Sequence, residues 1–98
     1  MSTLLVVDDE PSVLNLFRRT FEKQGARVVT AESLADGLAK FEKSKPDVIV
    51  LDVLLPDGSG LDLYQQIKDR DATIPVIFVT GHGDSHTAIG AMRLGALD

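Results

Sequence analysis

Val48-Ile49-Val50-Leu51-Asp52 decides the fold. Apolar residues in an unbroken, largely β-branched run suit a strand covered on both faces. The run stops at a carboxylate. The same form recurs in Leu4-Leu5-Val6-Val7, which stops at Asp8-Asp9, and in Val76-Ile77-Phe78-Val79, which stops at Thr80. A more polar run, Arg27-Val28-Val29-Thr30-Ala31, lies between the first two. Amphipathic stretches separate the runs. Val13, Phe17 and Phe21 recur at helical spacing within residues 11–24, with Pro11 suited to a first turn and Gly25 to a C′ position of positive φ. Leu34, Leu38 and Phe41 mark a second helix with Ser33 as N-cap. Leu61, Tyr64 and Ile67 mark a third, after the breaker-rich loop Pro56-Asp57-Gly58-Ser59-Gly60. Ala88, Ile89 and Met92 mark a fourth, started by Asp84 or Ser85 and closed by Gly95. The order β-α-β-α-β-α-β-α predicts an α/β fold, a parallel sheet with helices on both faces and right-handed crossovers.

In such a sheet, ligands bind outside the carboxyl ends of the strands. Those ends carry Asp8-Asp9, Asp52 and Thr80, so the topology brings them to one rim. A single strand-end aspartate reads best as a turn former. Three at two strand ends, with a hydroxyl at a third, read better as a site. Packed carboxylates repel one another and raise at least one pKa unless a cation intervenes. No nearby lysine or arginine in the sequence answers that need. A hard divalent cation with oxygen ligands, Mg²⁺, is the economical solution.

Composition narrows the classes. The chain has 98 residues, enough for one domain, and a net charge of −5 with scattered basic residues, which argues against a direct nucleic-acid surface. It has no cysteine, so neither a disulfide nor a thiolate metal site is available. The apolar run at Leu4–Val7 is too short for a signal peptide or a membrane span, and a cytoplasmic location is the expectation. His82 and His86 are four apart, but His82 falls in a Gly-rich loop, so the pair is a poor zinc candidate. Neither Gly58-Ser59-Gly60 nor Gly81-His82-Gly83 is a nucleotide-binding fingerprint.

The motifs Val7-Asp8-Asp9-Glu10, Leu51-Asp52, Leu55-Pro56-Asp57-Gly58-Ser59-Gly60, Thr80-Gly81-His82-Gly83-Asp84 and Gly95-Ala96 carry a resemblance at these spacings. Together they resemble the receiver domain of two-component response regulators, and the Thr80–Asp84 run resembles receivers of the nitrogen-regulator class of transcription activators. The resemblance implies a flavodoxin-like, doubly wound sheet of order 2-1-3-4, within a family order of 2-1-3-4-5. It implies that Asp52 is the phosphoacceptor, taking a phosphoryl group from a sensor histidine kinase or phosphotransfer protein. It also implies that Asp8, Asp9, Asp52 and the backbone carbonyl of Leu54 hold Mg²⁺, and that Thr80 is the switch hydroxyl. The chain is then a signalling module of transcription regulation rather than an enzyme.

Members of that family continue past the Gly-Ala pair into a fifth strand, which ends in a Lys-Pro pair, and a fifth helix. This sequence ends at Asp98, so residues 1–98 read as a receiver domain incomplete at its C-terminus. The expectations are an uncovered fourth strand, self-association through it, and weakened phosphate acceptance. The alternative function is a receiver-like interaction module that is not phosphorylated. An aspartate-nucleophile phosphatase would want a second acid where Leu54 stands. A flavin-binding domain would want a Ser/Thr-rich loop where Glu10-Pro11 stands.

Overall fold

The computed structural model describes residues 2–79. Thr80, the histidines at 82 and 86, and the predicted fourth helix lie outside the described residues. Strand β1 (Thr3–Val7) leads to helix α1 (Pro11–Glu22), then β2 (Arg27–Ala31), α2 (Leu34–Ser44) and β3 (Val48–Asp52). Two short strands, β4 (Leu54–Leu55) and β5 (Gly58–Ser59), precede α3 (Gly60–Arg70) and β6 (Val76–Val79). The main sheet is parallel throughout, in the order β2-β1-β3-β6. That is the expected 2-1-3-4 order, because β6 is the fourth long strand. The loop expected before α3 holds β5, which pairs antiparallel with β4 just ahead of that loop, with Leu54 opposite Ser59 and Leu55 opposite Gly58.

Local signals act where the sequence places them. Pro11 opens α1, where its missing N–H costs nothing. Gly25 takes the expected positive φ, +87°, but α1 has its C-cap at Lys23, so the glycine stands one residue beyond C′. The Ser33 hydroxyl accepts from the Asp36 N–H at 3.1 Å and caps α2. Ser59 does the same for α3, accepting from the Leu61 N–H at 3.1 Å. Helix α2 ends on Lys45 at φ 49°, a left-handed position without glycine.

Strand alternation sends side chains to two faces. Leu5, Val7, Ile49, Leu51, Val76 and Phe78 form the larger core with Phe41 of α2 and with Leu63, Tyr64 and Ile67 of α3. Leu4, Val6, Val28 and Val50 meet only α1 among the described residues, through Leu14, Phe17 and Phe21. This second face is thinner. It leaves an apolar groove of about 220 Å³ beside Phe17, Phe21, Val48 and Ile77. Strands β1 and β3 are buried on both faces, as their composition predicts. Strand β6 instead alternates, with Ile77 39% exposed. It is an edge strand among the described residues. No helix among those residues is long and apolar enough to cross a membrane.

Candidate metal centre

Strands β1 and β3 are neighbours, with Val7 opposite Leu51 in register. The residues that follow, Asp8 and Asp52, therefore emerge side by side at the carboxyl rim. Both are 2% exposed, whereas Asp9 is exposed. One carboxylate oxygen from each of Asp8, Asp9 and Asp52 lies within 4.8 Å of the others. Two strands thus deliver three acids to one point.

The backbone around them is tied down. The Asp8 N–H donates to the Ala31 carbonyl at 3.0 Å, which fixes the end of β1 to the end of β2. The Glu10 N–H donates to Asp8 Oδ1 at 2.8 Å, so the chain folds back over that carboxylate before entering α1. The Leu54 N–H donates to Asp52 Oδ1 at 3.2 Å and closes a similar turn after β3. Leu54 therefore stands beside the acid whose metal its carbonyl is expected to share.

Burial pushes the Asp8 carboxyl above its usual range. The Glu10 N–H opposes that push, and the negative charges of Asp52, Asp9 and Glu10 add to it. Repulsion of this kind is worth on the order of 3 kcal/mol per charge pair at such distances and an effective dielectric of about 20. A bound cation would relieve that repulsion. The donors of the cluster are all carboxylate oxygens, and the chain has no cysteine, so the set fits a hard divalent ion such as Mg²⁺.

Two features went unread in the sequence. The Asp57 carboxylate accepts from the Leu34 N–H at 2.8 Å and the Ala35 N–H at 3.1 Å, capping α2 from outside that helix. Its own stretch signals only a turn. The partners lie 23 and 22 residues away, and nothing local announces them. Gly60, the first residue of α3, donates to the Val53 carbonyl at 2.6 Å and lies against the backbone of Asp52. A glycine at the foot of a breaker-rich loop was the available signal, but it points to a turn rather than to close packing. Thr80 itself lies outside the described residues. Its chain neighbour Val79 is in register with Asp52.

Comparison with known proteins gives a consistent result. Residues 4–98 match the model of the response regulator receiver domain. The acid tolerance regulatory protein ActR of Rhizobium meliloti is 43% identical over 96 residues, covering 98% of this chain and 50% of its own length. The chain thus spans about half the length of such curated relatives. A response regulator receiver domain protein from Clostridium thermocellum superposes with a TM-score of 0.87 at 38% identity, covering 98% of this chain and 78% of that one. NtrX from Brucella abortus superposes with a TM-score of 0.90 at 34% identity, covering all of this chain and 22% of its own.

Proposed function

The chain belongs to the response regulator receiver domain family, and from that premise we propose that it is a phosphoacceptor and switch module whose acceptor is Asp52. The observation that carries the reading is the convergence of the Asp8, Asp9 and Asp52 carboxylates at the ends of β1 and β3.

The donor is a phosphohistidine on a sensor histidine kinase or phosphotransfer protein. An oxygen of the Asp52 carboxylate attacks phosphorus, the phosphorus–nitrogen bond breaks, and the imidazole leaves with the bonding pair and takes up a proton. The product is an acyl phosphate on Asp52. The Leu54 N–H holds one carboxylate oxygen, which limits rotation of the nucleophile. Asp8, Asp9, Asp52 and the Leu54 carbonyl are the proposed ligands of Mg²⁺. When bound, the ion offsets the charge that gathers on the phosphoryl oxygens. In the product, the Thr80 hydroxyl donates a hydrogen bond to a phosphoryl oxygen. Strand β6 leads directly to that residue, which supports its role as the switch. The downstream output is transcription regulation, by likeness to the regulatory relatives, and the site of action is the cytoplasm.

Labelling with acetyl phosphate tests the reading. The chain should gain one phosphoryl group by intact mass, only with Mg²⁺ present, and Asp52→Ala should gain none. Equal labelling of Asp52→Ala would end the assignment. A wild-type chain that takes no phosphate would favour an interaction module instead. Self-association through the β6 edge is a further part of the proposal, since β6 is an edge strand among the described residues and carries the exposed Ile77. Sedimentation velocity should show a concentration-dependent dimer that Ile77→Lys weakens. A chain that remains monomeric at every concentration would remove that part.

A further inference from the structure

Gly25 and Gly58 are the glycines with positive φ among the described residues, and Gly60 is not one of them. Its backbone is helical, a conformation open to any residue. Conformational freedom therefore does not explain why a glycine stands there. Space does. A Cβ at position 60 would overlap the Asp52 carbonyl oxygen, and would lie 3.0 Å from the Asp52 carbonyl carbon and 3.1 Å from Val53 Cα. All three are backbone atoms, so no side-chain rotation could relieve the clash. The same residue donates its N–H to the Val53 carbonyl. Helix α3 is thus seated directly on the peptide that follows the acceptor.

We propose that Gly60 is a positioning residue for Asp52: by presenting no side chain, it lets α3 close on the Asp52–Val53 backbone and so fixes the Leu54 peptide against the Asp52 carboxylate. The inference rests on the reading of Asp52 as an acceptor served by Mg²⁺. The path is short. Gly60 holds Val53, Val53 leads to Leu54, and the Leu54 N–H holds Asp52 Oδ1. On the other side, Ser59 is paired with Leu54 across β4–β5, so the whole turn moves as one piece. A methyl group at position 60 must push α3 and the end of β3 apart, and the displacement falls on the residues proposed to hold the ion.

The test is a Mg²⁺ titration of the 98-residue chain followed by backbone amide NMR. Gly60→Ala should weaken Mg²⁺ binding by about tenfold or more, the loss typical when the support of a metal ligand is disturbed. Gly25→Ala is the control. It strains a left-handed turn at the opposite rim, with open space around it, and should lower the melting temperature while keeping the Mg²⁺ affinity within about twofold. Equal affinities for wild type and Gly60→Ala would overturn the proposal. Should Gly60→Ala fail to fold, the wild-type titration decides. The Gly60 amide resonance should move with the same saturation curve as that of Leu54, and Gly25 should stay in place. A Gly60 resonance that ignores the ion would overturn the proposal. A wild-type chain that binds no Mg²⁺ would instead overturn the reading beneath it.

Discussion

Aspartates at the rim of the sheet and aspartates in the surrounding turns are the same side chain under opposite forces. Asp8 is buried beside other carboxylates, and its pKa is pushed up. Asp57 is exposed, and its pKa is pulled down, chiefly by the Leu34 N–H, with the Ala35 N–H adding to it. Asp71 is pulled down in the same way by the hydroxyl and N–H of Thr73. The turn acids are satisfied by backbone and side-chain donors and help the fold when ionised. The rim acid is disfavoured as a carboxylate by its surroundings. The difference teaches where an added cation would do most: at the rim, where three carboxylates crowd together.

The largest effect should come from supplying that cation. Mg²⁺ at about 100 times its Kd should stabilise the wild-type chain by about 2.7 kcal/mol in urea unfolding. Asp52→Asn should lose most of this. Equal stabilisation of that variant would place the ion elsewhere and break the comparison.

A smaller effect should come from removing the excess charge. Without Mg²⁺ at neutral pH, Asp8→Asn should raise the melting temperature, because the amide oxygen can still accept from the Glu10 N–H and the buried charge is gone. The sign follows from linkage. A carboxyl whose folded pKa is raised loses stability as pH rises from about 3.9 through the folded value, and stays at that lower level above it. The advantage of Asp8→Asn should therefore shrink as the pH is lowered toward about 3.9. A variant less stable than wild type at neutral pH would show that the rim carboxylate is better satisfied than its surroundings suggest.

The smallest effect, of opposite sign, should come from the turn. Asp57→Asn keeps an acceptor oxygen but removes the charge from the α2 N-terminus, so it should lower the melting temperature modestly. Because the folded pKa of Asp57 is depressed, its contribution is complete above about 3.9 and disappears as pH falls through the lower folded value. The gap between Asp57→Asn and wild type should therefore close in acid. A gap that widens in acid would mean that the carboxylate does not act through the α2 amides.

What the sequence disclosed depended on the range of the interaction. Strands β1 and β3 were readable because burial on both faces makes their runs Leu4–Val7 and Val48–Leu51 wholly apolar. Pro11, Ser33 and Gly25 were readable because a cap or a turn involves only near neighbours. The acid cluster was readable from topology, since strand ends in a parallel sheet share a rim. Adjacent acids could not be ranked in that way, and only the structure separates buried Asp8 from exposed Asp9. The β4–β5 pair was hidden because two residues per strand carry no alternation to detect. The roles of Asp57 and Gly60 were hidden because each depends on a partner brought close by the finished fold. The exposure of Ile77 depends on which helices cover the sheet, and a strand's own composition does not record that.

The Asp57 contact joins segments that are made at different times. Helix α2 begins to be synthesised before its outer cap exists, since Asp57 follows Leu34 by 23 residues. At about 5–20 residues per second, the Leu34 and Ala35 amides wait a few seconds for that carboxylate. A nascent chain stopped between the two segments lacks the carboxylate that completes the first turn of α2 in the fold. The turn is completed only after the Asp52 strand has been synthesised, so α2 reaches its final form together with the pocket.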